Sequence, residues 1–443
     1  MSFSYEERRR LEQMARDELR HFQLDRFRRL LEIILPHNEF YSKKFHGISL
    51  PIRTWEEFCS LPFTTKDELC TRQDGLAANL TFPVERYVRL HRTSGSRGRP
   101  LTVLDTPEDW QWWLEGWQFV LDAAGLQAGH RVVLAFSFGP FIGFWSAYEA
   151  CAARRALVVP TGGMSTAARL ELIAQLQPQF VLSTPSYALR MAEVARERGW
   201  PLHSWGVEAL IVAGEPGGSI PSTRARIEQA WGARVIDHAG ATEVGPWGYA
   251  DENRVGLYVN ESQFIAEFRP LDQVHCLDDT QGRPAELVLT TLGRTGCPVI
   301  RYRTGDVVLP HRHHTGRTRF VLLEGGVLGR ADDMVIVRGV NIFPSALEEV
   351  LRELAEVEEF RITVYRHQEL DQLRIEVEDA LHQPQRIADL IQRRIGIRVE
   401  VVDVPAGTLP RFEGKGRRFV DLRSAESRKP PPPADQLDSL GGS

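Results

Sequence analysis

The stretch GRADDMVIVRGVNIFP, residues 329–344, decides how the chain is organised. Residues 334–337 are a short, largely β-branched apolar run that predicts a strand. Gly329, Arg330 and the acidic pair Asp332 and Asp333 precede it, and Arg338, Gly339 and Asn341 follow. Pro344 and Ser345 then open a predicted helix over 346–354, with Leu347, Val350, Leu351 and Leu354 on one face and Glu348 and Glu349 near its positive end. A charged, glycine-flanked step between a long upstream region and a compact βα unit reads as a joint between two domains. An ordinary polar turn before an edge strand is the plainer alternative.

At 443 residues the chain is long for one core and suits a large domain plus a smaller one. A hydrophobic content of 42% with 26% charged residues is that of a soluble globular protein, and a net charge of −5 gives no global attraction for nucleic acid or anionic membrane. The five cysteines are scattered without a CxxC, which argues for a reducing compartment and against a disulfide framework or a cysteine-rich metal site. No stretch approaches the ~20 apolar residues of a membrane span. The expected location is therefore the cytoplasm.

Upstream of the joint, residues 5–35 read as one amphipathic helix ending at Pro36. A predicted strand over 88–91 leads into TSGSRGRP, 93–100, where small residues leave backbone N–H groups and hydroxyls free to close around a phosphate; a hairpin turn is the alternative. From 110 to 300 strands and helices alternate, the rhythm of a mostly parallel, doubly wound sheet. Predicted strands at 131–136, 156–160 and 209–213 end in the Gly-rich loops 137–143, 161–163 and 214–218, where ligands collect in such sheets. A fourth, 234–237, runs into HAGATE, 238–243. A further β section over 286–291 and 299–302 leads into YRTGD, 302–306. Beyond the joint, strands near 360–365, 373–378 and 397–403 and a helix at 385–394 make a small α+β unit. PRFEGKGRR, 410–418, then carries a glycine-flanked lysine, and 424–443 is a Pro-rich tail of disordered composition.

Taken in order, these motifs over residues 50–422 resemble the adenylate-forming superfamily. The spelling of RGVNIFP at 338–344 and LPFTTK at 61–66 is similar to that of its phenylacetate–CoA ligase family. The resemblance implies an α/β fold. A large N-terminal adenylation domain (1–330), with mostly parallel sheets flanked by helices plus a β section, is joined by a hinge to a small mobile α+β domain (331–423). It implies that ATP, with Mg²⁺, activates an aryl carboxylic acid to an acyl-adenylate, which CoA then intercepts. By the same resemblance Thr93, Ser94, Gly95, Ser96 and Gly98 cradle the β- and γ-phosphates, Glu243 holds Mg²⁺, and Thr242 meets the α-phosphate beside Gly240. Asp306 takes the ribose hydroxyls with Arg330 beside it, Asp332 is the hinge, and Gly339 lies in the segment that forms the thiol channel. Lys415 bridges carboxylate and α-phosphate. Phe136, Phe138, Phe141, Gly214, Glu215 and Trp247 are expected around the acyl group, Glu215 either touching a polar substituent or orienting backbone.

Two departures stand out. Ser96 and Arg97 replace the usual Thr-Thr of the phosphate loop, and Ala239 stands where the family has a tyrosine stacking on adenine, leaving His238 nearby. No cysteines follow the Thr-Glu motif, so no zinc is expected. Members of the family are often homodimers. The alternatives are transfer to a carrier-protein phosphopantetheine or an amine, and a non-catalytic nucleotide-binding relic.

Overall fold

The computed structural model describes residues 3–423, apart from 94–99, 137–138, 272, 274, 277–281, 313–315, 332–334, 338–339, 343, 368–369 and 412–417; for 335–337, 340–341, 345, 366–367 and 370–371 it describes the backbone alone. An eleven-stranded sheet runs through the large body. Its first five strands, Leu157–Pro160, Arg131–Leu134, Phe180–Ser183, Ala209–Ala213 and Arg234–Ala241, are mutually parallel. The order then continues antiparallel through Gly245–Tyr249, Gly256–Val259, Leu322–Arg330, Tyr302–His311, Ala285–Thr291 and Phe264–Pro270. The sheet is therefore mixed, and the parallel rhythm read from the sequence belongs to one half of it.

Helices cover both faces of the parallel half, as right-handed crossovers require. Pro107–Ala124 starts on a capping box, Thr106 with Asp109, and ends on Gly125 at φ 77, so both ends are fixed by local chemistry. It packs on Ile142–Ala153 and on the strand Gly245–Tyr249. On the other face lie Thr166–Leu176, Pro185–Glu197 and Pro221–Trp231, burying Leu170, Met191 and Ile227 in a second core. The expected single N-terminal helix is two, Tyr5–Glu12 and Arg16–Ile34, because Ala15 turns to extended backbone at φ −64, ψ 154. This break lets Arg8 reach Asp122 at 2.6 Å and Glu12 accept from the Tyr249 hydroxyl at 2.6 Å, so the first helix docks through buried polar contacts.

The smaller body has its own four-stranded sheet, ordered Glu400–Asp403, Leu370–Asp379, Val357–His367 and Phe419–Asp421. Its core of Leu347, Leu351, Ile362, Ile375, Ile387 and Ile391 is separate from those of the large body. The predicted strand before the helix Pro344–Glu353 is present as Val335–Val337, paired in a hairpin with Val340–Ile342. Pro344–Glu353 packs on Pro221–Trp231, and the Ser222 hydroxyl donates to the Glu349 carbonyl at 3.5 Å. Among the described residues no helix is long and apolar enough to cross a membrane.

Candidate active site

The strand Arg234–Ala241 delivers Thr242 and Glu243 into a tight turn, closed by the Val244 N–H donating to the Ala241 carbonyl at 3.0 Å. Gly245 follows at φ 140, and a Cβ there would lie 2.6 Å from the Trp112 ring, so only glycine lets the return strand pass this close. The turn is anchored from beneath. Arg294, fully buried, donates to the Thr242 carbonyl at 3.0 Å and to Asp105 at 2.8 Å. A buried guanidinium bonded to a carboxylate on one side and to a main-chain carbonyl on the other fixes the backbone of the motif.

Glu243 accepts a hydrogen bond from the Tyr302 hydroxyl at 2.9 Å and stands 3.9 Å from the Lys66 ammonium. Burial, reinforced by the Glu243 charge, pushes the Tyr302 phenol well above its ordinary value, so it remains a donor. Lys66 and Tyr302 carry roles that the sequence reading did not assign. The signal lay in LPFTTK. Its Thr64 pairs with Tyr302 as an added strand would, the Arg303 N–H donating to the Thr64 carbonyl at 2.9 Å, and this sets Lys66 over Glu243.

Asp306 and Arg330 lie opposite each other on paired strands, and the guanidinium donates to the carboxylate at 3.1 Å. Between them Gly305 takes φ 75, and a Cβ there would stand 2.6 Å from Arg330 Nη2; the side chain crosses a surface that glycine leaves bare. Thr93 follows the strand Arg89–Arg92, which pairs with Thr102–Asp105: its N–H donates to the Leu101 carbonyl at 3.0 Å and its hydroxyl accepts from the Leu101 N–H at 2.9 Å. Ser94, Gly95, Ser96, Gly98, Phe138, Asp332, Gly339 and Lys415 lie outside the described residues.

Around the expected acyl site the residues divide. Phe136 is buried and stacked on Phe144 at 4.1 Å, whereas Phe141 is 43% exposed. Gly214 takes φ 93 directly after the strand Ala209–Ala213. Glu215 accepts from the Ser186 N–H at 2.7 Å and from its hydroxyl. Trp247 is fully buried in the main core.

Residues 339–423 match the family model described as the AMP-binding enzyme C-terminal domain. Phenylacetate-coenzyme A ligases from Pseudomonas putida and from Escherichia coli K12 are each 31% identical, with 94% of this chain and 97% of theirs aligned. That of Thermus thermophilus is also 31% identical, over 93% of this chain and 98% of its own. Among solved structures, 2-hydroxyisobutyryl-CoA ligase in the postadenylation state, complexed with R3-HIB-AMP, superposes with a TM-score of 0.88 at 26% identity, covering 97% of this chain and 94% of that one. The same ligase in the thioesterification state, with 2-HIB-AMP and CoA, gives 0.71 at 26% identity, over 96% and 94%. The chain belongs to the phenylacetate–CoA ligase family of adenylate-forming enzymes.

Proposed function

We propose that the chain is an AMP-forming acid–thiol ligase: ATP activates a carboxylic acid to an acyl-adenylate with loss of pyrophosphate, and CoA displaces AMP to give the acyl-CoA. The observation that carries this reading is the convergence of Glu243, Lys66 and Tyr302 at one turn with the Asp306–Arg330 pair on the adjoining strands. An acceptor-only carboxylate such as Asp306 suits two ribose hydroxyls, and Lys66 supplies positive charge where the phosphates of the nucleotide would lie. Glu243 is a single carboxylate, which fits a Mg²⁺ that arrives on ATP and keeps phosphate and water oxygens as its other ligands. Phosphoryl chemistry of this kind is mostly positioning and charge stabilisation.

In this reading the chain divides near residue 330. Asp332 is the hinge, and the small domain presents Lys415 for adenylation and the segment around Gly339 for thiolation. The separate core of the small body and the better superposition on a postadenylation structure both support it. The glycines 95 and 98, with Thr93, Ser94 and Ser96, cradle the β- and γ-phosphates, and Phe136 with Phe144 favours an aromatic acid. The cytoplasm and a homodimer remain the proposed setting. The test is AMP release from MgATP across aromatic and aliphatic acids, with and without CoA. Acid-dependent AMP whose turnover needs CoA supports the ligase; turnover only with a carrier protein or an amine moves the acceptor, and silence on every acid points to a binding relic.

A further inference from the structure

His238 occupies a position with a chemical consequence for the acid. It lies on the strand Arg234–Ala241 beside Ala213, the last residue of the neighbouring parallel strand, and so at the rim that leads into Gly214 and Glu215. In open α/β sheets this rim is where ligands sit. The His238 Nδ1 stands 2.7 Å from the Gly248 carbonyl oxygen. A carbonyl only accepts, so Nδ1 carries the proton and Nε2 presents a bare lone pair. Burial pushes the imidazole pKa down to about 4, which keeps the ring neutral and this tautomer in place near pH 7. The Trp117 ring packs on it at 4.2 Å, with its own N–H committed to the Ser146 hydroxyl at 2.9 Å. The strand bulges between Ala239 and Ala241, and Gly240 lies in that bulge. A Cβ on Gly240 would stand 3.6 Å from His238 Nε2 and 3.1 Å from the Gly245 carbonyl, so the missing side chain leaves the strand bare next to that lone pair.

We propose that His238 Nε2 is a specificity-determining acceptor for the acyl group, and that the acid carries a hydroxyl which donates to it. The substrate class is then a hydroxylated carboxylic acid rather than an unsubstituted arylacetate. The inference rests on the ligase reading above and narrows it. An acid lacking the donor leaves a desolvated acceptor unpaired, and sites built to bond a substrate hydroxyl reject the analogue without it strongly, by two or more orders of magnitude.

The experiment compares kcat/KM for acid-dependent AMP release with matched pairs, each a hydroxylated aromatic or aliphatic acid and its deoxy counterpart, in the full-length protein and two variants. His238→Asn keeps an amide N–H for the Gly248 carbonyl and removes the distal acceptor; His238→Gln places an amide oxygen near the Nε2 position. We expect the wild type to favour one hydroxylated member about 100-fold or more, His238→Asn to bring that ratio within about fivefold of unity with activity on the deoxy acid retained, and His238→Gln to restore part of it. Deoxy acids used as well as their partners by the wild type, or an unchanged ratio in His238→Asn, would overturn the proposal while leaving the ligase intact. AMP release from none of the acids would overturn both.

Discussion

The two bodies use buried ion pairs to different ends. In the large body the Arg294–Asp105 pair terminates on the motif itself, through the Thr242 carbonyl. In the small body the pairs sit at the feet of segment 412–417. Arg411 donates to Glu378 at 2.7 Å on one side, and Arg418 donates to Glu359 at 2.6 and 2.9 Å on the other. Arg418 and Arg411 also line the cleft between the bodies, with Ser186, Arg190 and Glu193 facing them from the helix Pro185–Glu197. One half of the site is thus fixed to its own core. The other, in the proposed reading, belongs to a unit with a core of its own, an arrangement suited to a half that stays and a half that is exchanged.

Removing Arg294 should break the first half most severely. Arg294→Met leaves Asp105 buried without its partner, and such losses cost about 3–5 kcal/mol. Chemical denaturation should show that loss in the large body's transition, and AMP formation should fall further as the Thr242 turn loosens. A variant as stable as the wild type would remove the anchor from the account. Lys66→Ala should next reduce adenylation by about tenfold, equivalent to ~1.4 kcal/mol, with little change in unfolding because this side chain is 40% exposed. Equal loss of stability and rate would make Lys66 a structural residue.

How much of this was legible follows the same division. The parallel half declared itself because three of its strands end in Gly-rich loops and helices alternate with its strands up to Arg234–Ala241. The antiparallel strands Gly245–Tyr249 and Gly256–Val259 did not: every residue in both is buried, so there is no alternation to read, and glycines take positions where side chains would mark a strand. The helix Ile142–Ala153 was hidden because it opens at Phe141 without a side-chain cap, inside what reads as a Gly/Phe loop. Glu243, Asp306 and Arg330 were legible from motif spelling. Lys66 was not, since its distance from Glu243 is set by Thr64 pairing with Tyr302, a tertiary contact with no local signature.

A finer test of the large body is Tyr302→Phe. It deletes only the 2.9 Å bond to Glu243 and should cost about 0.5–1.5 kcal/mol, roughly a two- to twelvefold fall in adenylation at saturating acid. No change in rate would show that Glu243 is oriented without the phenol. For the small body the lever is pH. Burial alone would raise the carboxyls of Glu359 and Glu378, but Arg418 and Arg411 hold both below the ordinary carboxyl value of 4.5. Their folded pKa lies below the unfolded one, so the stability they contribute is present above about pH 4.5 and is lost as pH falls through the lowered values. Amide exchange at Val357–His367 and Leu370–Asp379 should therefore rise on acidification ahead of that at Arg131–Leu134 and Phe180–Ser183. Simultaneous loss of protection in both sheets would mean that the two bodies unfold as one.

The most direct measurement of the central claim, one cleft served in turn by two faces of the small domain, separates the half-reactions in Lys415→Ala. Adenylate formation from acid and MgATP should fall on the order of 10²–10³-fold, while thioester formation from supplied acyl-adenylate and CoA stays within a few-fold of the wild type. Equal losses in both half-reactions, or none in the first, would contradict it.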